Sequence, residues 1–286
     1  MTWGLNIAIY LFLSGIGAGL LFWTVARCTL AAGNLETDTT SPWLYAVSFV
    51  IIGVGALILV ADSKAGLQNP RAFFGLFTNF GSPMAWGTLF IVLVLVFDAV
   101  GFVLSRKGDA LSGSKKRAFS LVGAVLAIAL TSYTGVLLGA VSPVGLWNNG
   151  ALPVLFLVSA LLSGAALGDL VGALTRDALS LGKTRLSAAF ATGGIIEALV
   201  VFFLLVVASS NPSGADAVAR LISGDLAVPF WALYIVIGLV LPVVLHLAAG
   251  KRKVAIYLAN ATIIVGALAL RILIVAAAVP AFVSAI

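Results

Sequence analysis

Apolar and polar residues alternate along this chain over distances of a whole bilayer rather than a helical turn. Eight apolar runs, at roughly 4–30, 42–61, 84–104, 118–140, 152–174, 186–208, 229–249 and 254–279, are separated by short segments where charged residues collect. About 20 helical residues cross a hydrocarbon core, so each run predicts one transmembrane helix. Pro42, Pro83, Pro153 and Pro229 fall at or just before predicted starts, where a proline leaves no backbone donor unmet. Pro242 lies inside the seventh run. It lacks an N–H, frees the carbonyl of Gly238, and predicts a kink one turn before His246. Composition agrees: 62% of the 286 residues are hydrophobic, 9% are charged and the mean hydropathy is +1.19, too apolar for a soluble domain. The expected fold class is all-α, a polytopic membrane protein with eight transmembrane helices.

No basic segment precedes Trp3 and no small-residue cleavage site follows the first run, so that run is read as a retained helix rather than a signal peptide. The polar segments carry a strong charge asymmetry. Arg27, Arg106, Lys107, Lys115, Lys116, Arg117, Arg176, Lys183, Arg185, Lys251, Arg252 and Lys253 flank one side, against Lys64, Arg71 and Arg220 on the other. The positive-inside rule makes the first side cytoplasmic and both termini periplasmic in a bacterial inner membrane. The net charge of +6 is therefore sorted by loop, a bilayer pattern that does not suggest nucleic acid.

A weak internal repeat is visible. Phe12-Leu-Ser-Gly15 with Ala18-Gly19 returns as Leu157-Val-Ser-Ala160 with Ser163-Gly164, and Pro83 with Trp86 returns as Pro229 with Trp231. Four spans per repeat keep both halves in one orientation, which predicts two four-helix bundles, 1–145 and 146–286, related by an axis along the membrane normal. Chance likeness between glycine-rich helices is the alternative.

Ionisable residues inside the runs are functional suspects, because a charge at that depth costs several kcal/mol unless paired or wetted. Asp62, Tyr133 and Arg271 fall in the outer half with Asn6 and Tyr10, while Asp98, Asp169 and His246 fall in the inner half. Glu197 is central, roughly 16 Å from either end of its run. A phenol and a guanidinium in the outer half can orient the two carbonyls of a quinone. Carboxylates and a histidine leading inward from Glu197 can supply or remove protons. Each has a structural alternative: Tyr133 bonded to a backbone carbonyl, Asp169 anchoring Arg176 or Arg27, His246 meeting lipid headgroups. With one His and one Cys (Cys28), this sequence by itself has no means of holding a bis-histidine haem or a thiolate-ligated iron-sulfur cluster. No metal site is expected.

Six segments together resemble one family: WGLNIAIYLFLSGIGAG, NPRAFFGLF followed by SPMAWG, YTGVLLGA, LWNNGALPVLFLVSALLSGAAL, and LRILIV around Arg271. In order and spacing they are similar to the membrane subunit of the NrfD and polysulfide reductase type, over nearly the whole chain. The resemblance implies an eight-helix, haem-free subunit that binds menaquinone or ubiquinone near the periplasmic face, with Tyr133 and Arg271 at the family's tyrosine and arginine. It implies an extrinsic periplasmic iron-sulfur partner docked on the loop from Asp62 to Pro83, and often a molybdopterin or multihaem cytochrome subunit beyond it. The sequence departs from the family where DSKAGLQNPRAF replaces the usual Asp-Leu-Gly-Arg-Pro, and where His246 stands at an expected acidic position.

The reading is a quinol-interacting subunit of a membrane oxidoreductase complex. Tyr133, Arg271 and Asp62 would serve the chemistry, Asn6 and Tyr10 would help hold the quinone, and Glu197, Asp169, Asp98 and His246 would form a proton route. A passive anchor and a secondary transporter are the rivals. The orientation is tested by cysteine labelling from outside: a cysteine replacing Gln68 should react and one replacing Lys116 should not, and the reverse pattern inverts the topology.

Overall fold

The computed structural model describes residues 4–30, 42–62, 81–107, 113–140, 144–175, 183–248 and 253–278. The long helices are α1 (Leu5–Leu30), α2 (Pro42–Asp62), α3 (Pro83–Arg106), α4 (Gly113–Gly139), α5 (Ala151–Thr175) and α6 (Lys183–Ala208). A short α7 (Pro212–Ile222) follows, then α8 (Ala227–Ala248) and α9 (Lys253–Ala276). Eight of these, all but α7, are long and apolar enough to cross a membrane, as the hydropathy pattern predicts.

Burial sorts the helices. Spans α1 and α9 are each 61% buried, whereas α6 and α8 are only 22% and 17% buried, so α1 and α9 form the centre and α6 and α8 the lipid-facing wall. Helix α1 packs on α2, α4, α5 and α9; α3 closes against α2 and α4; α6 and α9 lie on α5; and α8 lies on α6 and α9. On these contacts we propose the division into 1–145 and 146–286, joined along α1 and α5.

The α1–α5 seam is built from small residues, because between lipid-solvated helices association comes from close packing rather than from the hydrophobic effect. Gly19 and Gly164, paired as equivalents by the sequence repeat, meet each other across it. A β-carbon on Gly19 would strike the Ala160 carbonyl, and one on Gly164 the Gly19 backbone. The Trp23 indole donates to the Leu161 carbonyl at 2.8 Å along the same seam.

Two features add to the sequence expectation. In α8, where Pro242 predicts a kink, Phe230–Val240 is π-helical and runs directly into Leu241–Ala248. The wider turn relieves the clash a proline ring has with the carbonyl four residues back, that of Gly238. Gly238 there lies against Gly266 of α9, backbone to backbone. The second is α7, an amphipathic helix that buries Ser213, Gly214, Ala217, Val218 and Leu221. Its Arg220 pairs with Asp225 at 2.7 Å and donates to the Ala276 carbonyl at 3.1 Å, covering the end of α9. Hydrogen bonds from Arg220 hold the exposed Asp225 carboxyl below its usual range.

Gly164→Val forces α1 and α5 apart, and overpacking of this kind costs about 1–3 kcal/mol. The melting temperature in detergent should fall, whereas Gly53→Val, where a β-carbon meets nothing within 4 Å, should leave it unchanged. Equal melting of the two variants removes the seam from the account.

Candidate functional site

Arg271 organises the largest polar cluster. On a helix the side chain leans back toward the N-terminus, so the guanidinium reaches from the last third of α9 toward the centre of the molecule. It is completely buried. Nη1 donates to the Ala267 carbonyl at 2.8 Å and to the Ser159 hydroxyl at 3.1 Å; Nε faces the Leu11 carbonyl at 3.4 Å and Nη2 the Phe156 carbonyl at 3.5 Å. Its carbon lies 5.2 Å from the centre of the Phe156 ring, a cation–π distance. Gly15 lies against the guanidinium, since a β-carbon there would come within 2.9 Å of Nη2. Three helices, α1, α5 and α9, thus converge on one side chain.

Glu197 completes the cluster from α6. It is 4% exposed in a helix most of whose residues are not buried. The Tyr234 hydroxyl donates to Oε1 at 3.3 Å, and Ser159 stands between the carboxyl and Arg271, interacting with both. A cavity of about 20 Å³ opens beside Ser159, Glu197 and Tyr234.

A second group lies nearer the face that carries Leu5. Tyr133 and Tyr10 are buried and act on each other electrostatically. The Tyr133 ring occupies the space a side chain at Gly87 would need and meets Phe90 edge-on, with centroids 6.1 Å apart. The Tyr10 hydroxyl and that of Ser14, one turn on, lie close enough to act on each other, and neither makes a well-formed hydrogen bond among the described residues. A buried hydroxyl left open needs a reason.

Toward the opposite, basic face the acidic residues separate. Asp98 is fully buried between α2 and α3, with Ser48 Oγ 2.7 Å from Oδ2 and 3.0 Å from the Gly17 carbonyl. One hydroxyl has one proton, so both contacts are hydrogen bonds only when Asp98 is protonated and donates to Oγ. Asp169 instead accepts from Asn260 Nδ2 at 2.6 Å and lies within electrostatic reach of His246. The His246 ring is 4.8 Å from that of Phe190, which also lines the cavity beside Glu197. Among the described residues no three His, Cys, Asp or Glu side chains are grouped to hold a metal ion.

The model of the family described as polysulphide reductase, NrfD matches residues 1–283. The chain belongs to that family. A polysulfide reductase chain from Wolinella succinogenes is 31% identical, over 95% of this sequence and 92% of that protein. The NrfD protein of Escherichia coli is 30% identical, over 86% and 84% respectively. A selenate reductase subunit from Mesobacillus selenatarsenatis is 21% identical, over 99% and 74%.

In this NrfD-family protein the structure brings Tyr133 to Tyr10, Glu197 to Arg271, and Asp169 to His246, and sets Asp98 apart between α2 and α3. Asn6 is exposed near the start of α1. Asp62 ends α2; its side chain and the loop proposed for partner docking lie outside the described residues. Sequence reasoning missed Ser159, Tyr234, Asn260 and Ser48 as site residues. Ser159 alone carried a signal, through its place in the repeat opposite Ser14.

Arg271→Leu leaves Glu197 buried without its countercharge, and breaking such a pairing costs about 3–5 kcal/mol. Arg271→Leu combined with Glu197→Gln should recover part of that loss in a denaturation series. A double variant no more stable than the single one means that the two side chains do not interact.

Proposed function

We propose that this protein is the quinone-reactive membrane subunit of an oxidoreductase complex, exchanging electrons with an iron-sulfur partner on the face that carries Leu5. Family membership supports the subunit role: two of the relatives are named as components of a reductase, one for polysulfide and one for selenate. The observation that carries the quinone reading is the pair of buried phenols, Tyr10 and Tyr133, with the Tyr10 hydroxyl making no well-formed hydrogen bond beyond its interaction with Ser14. A quinone carbonyl is an acceptor of the kind such an open donor needs. A bound quinone would supply the two-electron, two-proton chemistry that the protein's own side chains lack.

The residues then divide the work. Tyr10 and Tyr133 donate to the head group and fix its orientation; the apolar side chains around them exclude water. Arg271 acts on this site through the backbone, gripping the carbonyl of Leu11 next to Tyr10. Asn6 and Asp62, at the same face, serve the mouth of the site and the docked partner. We assign Glu197, with Asp169, Asp98 and His246, to proton movement between the basic face and the quinone. With the positive-inside orientation, the partner is periplasmic and the protons are cytoplasmic.

Each of Tyr133→Phe and Tyr10→Phe removes one hydrogen bond worth about 0.5–1.5 kcal/mol, which is roughly a two- to tenfold loss of quinol turnover if the bond is made in the transition state. Activity of the same complex with a soluble artificial electron donor should be unchanged, because the partner still docks. Wild-type quinol rates in both variants move the site elsewhere.

A further inference from the structure

The cavity beside Glu197 plays no part in binding the quinone head group, yet its walls are built for a small polar occupant. Its volume is about 20 Å³, and a water molecule needs roughly 10–15 Å³ and two to four polar partners. Ser159, Glu197 and Tyr234 provide the partners from three different helices. The remaining wall is apolar; Gly194 leaves space beside it by having no side chain, and Gly238 and Gly266 line it where their backbones meet.

The hydrogen-bond inventory leaves a place for one more molecule. Ser159 accepts from Arg271, so its own proton is free to point at the carboxyl or into the cavity. The Tyr234 to Glu197 bond, at 3.3 Å, is long for a hydroxyl donor, for which 2.5–3.0 Å is usual. Two donors do not saturate a carboxylate, which has about four acceptor positions. A metal cation is disfavoured because Arg271, held on the same Ser159, already sets a fixed positive charge beside the space.

We propose that this cavity is a single-water site, that Ser159 and Tyr234 position the water, and that the water is the proton-exchange partner of Glu197. The role given to the exchange rests on the proton reading above; the water site itself does not. The exchange is balanced in both states of the pair: the carboxylate takes a proton from the water only as the water receives one in turn, and in the protonated acid one carboxyl oxygen gives its proton to the water while the water returns one of its own to the other oxygen. Leu162, Phe190, Val243 and Ile263 lie among the apolar lining, and the Phe190 ring lies tilted against that of His246. Phe190 therefore stands between the water and the Asp169, Asn260 and His246 group.

Gly194 offers a test that leaves the polar groups intact. A β-carbon there enters the cavity and meets only Val243, at 3.9 Å, so Gly194→Val fills the space. In infrared difference spectra of the full-length protein in lipid nanodiscs, the wild type should show a water O–H band that shifts in oxygen-18 water. Gly194→Val should lose it while melting no lower than the wild type, and Ser159→Ala should shift it. If Gly194→Val does not fold, Gly194→Ala places one methyl in the same space and should weaken or move the band. A wild type without the band, or a band unchanged in the filled variants, overturns the site. In the reconstituted complex, turnover indifferent to membrane potential in both wild type and Glu197→Gln would sink the proton route, while a band present in the same samples would uphold the water.

Discussion

A guanidinium in the middle of an apolar bundle keeps its charge and must have its donors answered where it stands. That requirement shapes much of the centre of this molecule. Arg271 collects carbonyls from α1, α5 and its own helix and a hydroxyl from α5, and it acts electrostatically on the carboxyl of Glu197 from α6. Gly15 has no side chain because the guanidinium takes its place, and Phe156 turns its ring to the charge. The small-residue seam between α1 and α5 then follows, because the two helices must approach closely for one side chain to reach both.

The polar chemistry is distributed around that anchor rather than through it. The phenols of Tyr10 and Tyr133 sit among α1, α3 and α4, whereas Glu197, Tyr234 and the cavity sit among α5, α6, α8 and α9. Arg271 is the link: it touches the carbonyl after Tyr10 on one side and shares Ser159 with Glu197 on the other. A change of charge at Glu197 is therefore felt at α1 through one rigid group, without any need for the two polar groups to touch. The acidic side chains nearer the basic face are separate in a further sense, since Asp98 is locked to Ser48 and Asp169 to Asn260.

The spans were legible because lipid allows a simple rule: backbone polar groups must be satisfied within the helix, so an apolar run of sufficient length has one structure. Helix α7 escaped that rule, being too short to span and recognisable only from Asn211-Pro212 and the 3.6-residue spacing of its buried face. The π-helical stretch was half legible: Pro242 marked a disturbance, but where the disturbance falls is set by the approach of Gly238 to Gly266, a contact between residues distant in sequence. Depth arguments singled out Glu197 and Arg271, which act on each other across Ser159, because charges are rare in lipid and stand out. Tyr234 and Asn260 stayed silent, and Ser159 showed only through the repeat, because neutral polar residues are ordinary in membrane helices and only the fold shows which of them face inward.

The position of Glu197 on a lipid-facing helix bears on how the protein is assembled. Helix α6 enters the membrane before α9 exists, so its carboxyl must first be tolerated with Ser159 as the nearest finished neighbour. Acidic side chains at a helix centre cost about 2.5–3.5 kcal/mol during insertion, a penalty that α6 can bear because the rest of it is strongly apolar. Arg271 brings its own cost when α9 follows. Both costs fall together once the guanidinium comes within electrostatic reach of the carboxyl, with Ser159 of α5 already in place between them.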